Sequence, residues 1–191
     1  MAAGGSLGSW EARSILVNTF PLLVGLSVVV LYAGFVLEDA GDLLAEFGSL
    51  AVMVPVMIAT GGNLGAILSS RLSTRLHLGT TAFDPRDRTL WANVAAILAL
   101  AATLFTALAV GAWLVERLVG SGAGPTLPEL LTIALASGMS VAVVAVAFGL
   151  AATYGSYRLG IDPDDTTIPI VTNLVDVFGM VIFVGVSMWL L

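Results

Sequence analysis

Asp176 is the residue of greatest chemical consequence in this sequence. It is the single charge in the apolar run from Ile168 to Leu191. A helix starting at Ile168 reaches Asp176 eight residues later, roughly 12 Å along its axis. That depth is near the middle of a hydrocarbon slab of about 30 Å. An Asp there costs about 2.5–3.5 kcal/mol on insertion scales. No Arg or Lys lies inside an apolar run to neutralise it. The carboxylate therefore needs water, a hydrogen-bond network, a proton or a metal ion. A hydrogen-bonded structural Asp is one solution, and an ion pathway is the reading favoured by its neighbours. Positions three and four apart share a helix face, so Pro169, Thr172, Asn173, Asp176 and Gly179 form one stripe. The stripe offers a hydroxyl, an amide and a carboxylate among small residues. Pro169 is expected at the helix start, where a missing backbone donor is tolerated.

A second irregular stretch is PVMIATGGNLGAILSS, Pro55 through Ser70. Pro55 cannot donate to the preceding turn, and Gly61 and Gly62 are weak helix residues. Partial unwinding is expected at this depth, exposing backbone carbonyls, which is allowed only where backbone faces protein or water. Asn63 adds an amide oxygen and Thr60 a hydroxyl. Gly61, Gly65 and Ser69 recur every fourth residue, a pattern that also suits tight helix contact.

Every candidate ligand is oxygen, and cysteine is absent. Oxygen sets suit Mg²⁺, Ca²⁺ or Mn²⁺ rather than soft metals. Mg²⁺ usually keeps several waters and binds through one or two carboxylates. One Asp per chain is sparse, whereas two copies meeting on a two-fold axis supply two carboxylates around one hydrated ion. His77, the only His, lies in an Arg-rich polar stretch and reads as a solvated surface residue.

These residues must be positioned by helices in a membrane. Of 191 residues, 58% are hydrophobic and 10% charged, against roughly 25% charged in soluble domains. Five apolar runs are expected to span: Ile15–Leu37, Phe47–Ser70, Thr89–Val115, Leu130–Tyr157 and Ile168–Leu191. They are too long and continuous for barrel strands, which alternate over about ten residues. The expected fold is an all-α integral membrane protein of five transmembrane helices. Residues 1–13 read as a cytoplasmic tail and 14–191 as one transmembrane domain. Net charge is −6 and every positive is Arg, so a basic face for nucleic acid is missing.

Orientation follows the arginines. Arg13, Arg71, Arg75, Arg86, Arg88 and Arg158 share one side, and Arg117 stands alone on the other. This places the N-terminus in the cytoplasm and the C-terminus outside the cell membrane. Glu38 and Asp39, with Asp42 and Glu46, then lie outside. They act there as an acidic mouth that concentrates cations, or as a plain solvated loop.

Two motifs give these expectations a family. PVMIATGGNLG (Pro55–Gly65) and DPDDTTIPIVTNLVDVFG (Asp162–Gly179) resemble the second and fifth membrane helices of MgtE-type magnesium transporters and their solute-carrier relatives. The resemblance covers nearly the whole chain. It implies a homodimer in the lipid bilayer, with a pore between subunits lined by those two helices. It implies that Asp176 is the pore aspartate holding hydrated Mg²⁺ and that Asn63 lies near the pore. It implies that Thr172 offers a backbone carbonyl to the ion's water shell, with Asn173 beside it, and that Glu38 is the acidic end of the first helix. The chain departs from the family at Ile67, often Gln, and at Ile168, often small or polar. Typical bacterial members also carry an acidic N-domain and paired CBS modules, and gating through those domains is not expected to carry over. The expectation is a channel or transporter for divalent cations, Mg²⁺ first, with Mn²⁺, Ca²⁺ and Co²⁺ as further ions, and no enzymatic activity. A non-transporting membrane subunit and a proton-coupled solute carrier are the alternatives.

Overall fold

A computed structural model of the chain describes residues 7–80, 86–120, 124–160 and 163–191. Six helices follow one another: α1 (Leu7–Asp39), α2 (Gly41–Glu46), α3 (Gly48–His77), α4 (Arg88–Val119), α5 (Leu127–Leu159) and α6 (Pro163–Leu190). Five of them hold segments long and apolar enough to cross a membrane, and the first such segment is Thr19–Asp39. The short α2 carries Asp42 and Glu46 of the acidic connection.

The helices run past the apolar segments at their ends. α1 begins at Leu7, so part of the expected tail is helical. α3 continues to His77, which places Arg71, Arg75 and His77 on its last turns. α6 begins at Pro163, so Asp164 to Thr167 are helical and Pro169 lies inside the helix rather than at its start. Pro163 takes the first-turn place that needs no donor. Charged residues end the hydrophobic run without ending the backbone hydrogen bonding, because they extend the helix into the interface. Stops come from local chemistry. Asp87 accepts from Thr89 N at 2.8 Å and caps α4. Thr126 and Glu129 form a reciprocal capping box at the start of α5. Gly160, at φ +68°, ends α5 in the left-handed region that favours glycine.

The core is a three-helix unit of α3, α5 and α6. Small residues set its tightness. A Cβ on Gly61 would come within 2.5 Å of Val141 Cγ1 and 3.1 Å of Val175 Cγ1. A Cβ on Gly65 would meet Val171 Cγ1 at 2.5 Å. One on Gly149 would meet Ser69 Oγ at 3.3 Å. So the Gly61–Gly65–Ser69 face of α3 lies against Val141, Ala145 and Gly149 of α5, in register and four residues apart on both helices. The unwinding expected at Gly61–Gly62 is not present, since α3 is helical throughout. Close packing lets the glycines keep their helical hydrogen bonds, whereas unwinding would leave carbonyls without partners in apolar surroundings.

α4 and α1 flank this unit. α4 buries Leu90, Val94, Ile97, Ala101, Phe105, Ala109 and Ala112, one stripe at helical period. Fully buried Phe105 rests on Gly138, where any Cβ would overlap its ring. α1 packs chiefly on α6. Of its described hydrophobic side chains only Leu26 and Ala33 are buried, while Phe20, Val28, Leu31, Tyr32 and Phe35 are at least 59% exposed. That face suits lipid or a neighbouring subunit.

Candidate functional site: a carboxylate in a membrane groove

Asp176 keeps its expected depth although its helix starts earlier. Within the apolar segment Thr166–Leu190 it lies ten residues from the start, about 15 Å along the axis. Its carboxylate is turned towards α3. A Cβ on Gly62 would lie 3.0 Å from Asp176 Oδ1 and 3.7 Å from Thr172 Cβ. Gly62 is the residue type that lets the α3 backbone pass this close to an acid. Thus Gly62, Thr172 and Asp176, selected from separate motifs, meet in space.

The same carboxylate borders an open groove of about 390 Å³ between α1, α3 and α6. Its walls include Ser27, Ala33 and Gly34 of α1, Ile58 of α3, and Asn173 and Asp176 of α6. Asp176 is half-buried, as are Thr172 and Asn173. Each polar neighbour directs a donor to its own helix. Asn173 Nδ2 donates to Pro169 O at 2.8 Å. Thr172 Oγ1 donates to Ile168 O at 3.0 Å and approaches Pro169 O at 3.2 Å. Asn173 can still present its amide oxygen, an acceptor, and its second amide hydrogen. Among the described residues no three His, Cys, Asp or Glu side chains converge. One copy therefore offers a single acid with neutral oxygen acceptors, a set suited to an ion that keeps its water.

The other expected site residues separate. Gly61, Gly65 and Gly179 face α5 and other parts of α6 inside the subunit, Gly179 against Val141 at 3.7 Å. Their observed contribution is helix contact, not an exposed wall. Asn63 is exposed and Thr60 half-buried on α3, and neither borders the groove of Asp176. Glu38 and Asp39, with Asp42, border a second open depression of about 650 Å³ where α1 passes into α2. Asp162 of the second motif lies outside the described residues. Sequence reasoning missed the contribution of α1. Ser27 is a lone hydroxyl in an apolar run, and nothing in its neighbours signals that it borders the groove of Asp176.

The MgtE family, described as divalent cation transporters, matches residues 54–186, which include both motifs and Asp176. The chain belongs to the MgtE family. The magnesium transporter MgtE of Thermus thermophilus is 31% identical over 169 residues, 88% of this chain and 35% of that protein. Solute carrier family 41 member 3 of Mus musculus is 26% identical over 172 residues, 84% of this chain and 35% of that protein. The chain thus spans about a third of the length of these curated relatives. For an MgtE-family chain the five long apolar helices are the expected membrane domain, and the family is one of transporters rather than enzymes.

Proposed function

We propose that this MgtE-family chain passes hydrated divalent cations through a membrane, Mg²⁺ in preference to Mn²⁺, Ca²⁺ or Co²⁺. The observation that carries the reading is the Asp176 carboxylate at mid-depth, against Gly62 and open to a groove rather than enclosed. In the working form two copies assemble about a two-fold axis, and each contributes Asp176 to one ion. Each carboxylate accepts hydrogen bonds from the ion's water shell. Thr172 and Asn173 add neutral oxygens on the same helix, and Asn63 lies further along the exposed side of α3. Glu38 and Asp39 raise the local cation concentration at the outer end.

The driving force is the ion gradient and the membrane potential. A doubly charged ion crossing 100 mV gains about 4.6 kcal/mol, enough to offset partial loss of hydration. Flux of Mg²⁺, Mn²⁺, Ca²⁺, Co²⁺ and Na⁺ into proteoliposomes, wild type against Asp176→Ala, tests the reading. Mg²⁺ flux that depends on Asp176 supports it. Equal flux in the two proteins removes Asp176 from the path. Uptake of an organic solute without Mg²⁺ flux would move the chain to the proton-coupled carrier class.

A further inference from the structure

Ser27 lies on α1, outside the region 54–186 that matches the family, yet it borders the groove together with Asp176 and Asn173. Its hydroxyl donates to Leu23 O at 2.8 Å. With that proton committed, Ser27 Oγ has only lone pairs left to offer. Asn173 Nδ2 spends one of its two hydrogens on Pro169 O at 2.8 Å, and its amide oxygen adds a further acceptor. Asp176, when ionised, is an acceptor by nature. The three polar side chains bordering the groove therefore offer it oxygen acceptors: the Ser27 hydroxyl, the Asn173 amide oxygen and the Asp176 carboxylate.

Such an acceptor-rich set favours the shell of a cation. Water bound to a cation points its hydrogens outward, and its shell presents donors only. An anion's water shell turns oxygens outward as well as hydrogens, and those oxygens meet few donors here. Size is consistent with this guest. At about 30 Å³ per water, a cation with six waters needs about 200 Å³, within the 390 Å³ of the groove. Ala33 and Gly34, small residues on the same stretch of α1, leave that width open.

We infer that α1 is a third wall of the cation site, and that Ser27 is a positioning residue which accepts a hydrogen bond from the water shell of the ion held at Asp176. The inference rests on the reading of Asp176 as the ion-holding acid. Ser27 touches the shell and not the metal, so it tunes occupancy rather than enabling passage.

The test is Mg²⁺ flux into proteoliposomes of the full chain, with wild type, Ser27→Ala, Ser27→Thr and Asp176→Ala side by side. Hexaamminecobalt(III), an exchange-inert cation whose shell also presents only donors, serves as inhibitor. Loss of one neutral hydrogen bond should raise the half-saturating Mg²⁺ concentration of Ser27→Ala roughly three- to tenfold. The half-inhibiting hexaamminecobalt(III) concentration should rise in parallel, with maximal flux within about twofold of wild type, and Ser27→Thr should restore both. A merely structural serine would change maximal flux or protein yield without that paired shift. If Asp176→Ala abolishes flux while Ser27→Ala matches wild type in both concentrations, the role of Ser27 is overturned and the Asp176 reading stands. If Asp176→Ala conducts like wild type, both fall together.

Discussion

At the residue scale, the proposed function turns on one acid and on the glycine that faces it. A carboxylate in the middle of a bilayer is costly, and this one opens onto a groove instead of being enclosed. Each charge-assisted hydrogen bond to a water shell is worth about 1.5–3 kcal/mol. Asp176→Asn, which keeps shape and removes charge, should therefore reduce Mg²⁺ flux by about tenfold or more. Stopped-flow uptake into liposomes reads this directly. Gly62→Ala adds a methyl 3.0 Å from Asp176 Oδ1, tighter than ordinary van der Waals contact. The carboxylate must turn away from α3, so half-saturating Mg²⁺ should rise in the same assay while the fold persists. Asp176, Thr172 and Asn173 were legible in the sequence because polar groups three and four residues apart inside an apolar run share one helix face, and lipid would not tolerate that face. The contact between Gly62 and Asp176 was not, because residues 114 positions apart meet only through helix register. Ser27 was silent for a related reason. A single serine can satisfy its hydroxyl on its own helix, as this one does, so sequence alone does not say what it faces.

At the element scale, α3, α5 and α6 are held together by small residues in register. Helices in lipid gain stability from close van der Waals contact rather than from expelling water. Gly65→Ala would place a methyl 2.5 Å from Val171 Cγ1. Overpacking of this kind costs roughly 1–3 kcal/mol, so the thermal midpoint in detergent should fall. Gly138→Ala, against the buried Phe105 ring, should behave likewise. Gly111→Ala and Gly155→Ala, where an added Cβ meets nothing within 4 Å, should leave the midpoint unchanged or slightly higher. A fall of equal size in all four variants would show that helix propensity, not contact, governs these positions. Hydropathy located the five long helices well because span length is dictated by bilayer thickness. It placed their ends poorly. Arg75 illustrates why: it belongs to α3, yet it reaches Asp87 before α4 at 3.6 Å, joining two helices across their connection. The unwinding expected at Gly61–Gly62 failed because glycine's low helix propensity, about 1 kcal/mol, is smaller than the cost of leaving carbonyls unpaired at that depth.

At the scale of the whole molecule, both ends of the bundle carry interfacial anchors. Arg117 stacks over Trp113 at 5.5 Å near the end of α4, and Arg158 over Tyr154 at 5.0 Å near the end of α5. These amphipathic pairs suit the two headgroup layers. The arginine asymmetry predicts the α5 end in the cytoplasm and the α4 end outside. Because the chain has no cysteine, single-cysteine labelling is clean. Leu118→Cys, 81% exposed, should react with an impermeant maleimide in intact cells, and Leu78→Cys, 70% exposed, only after permeabilisation. The reverse pattern would invert the topology and move the Glu38–Asp39 depression to the cytoplasm. The bare outer face of α1 and the open side of the Asp176 groove leave room for a second copy, which would bring two carboxylates to one ion. Crystals of the full chain soaked in Mn²⁺ test this most directly, through the anomalous signal of the metal. One Mn²⁺ peak is expected between two Asp176 carboxylates, separated from their oxygens by a layer of water. Asp176 turned away from a partner copy, dry and with Mn²⁺ bound elsewhere, would contradict it.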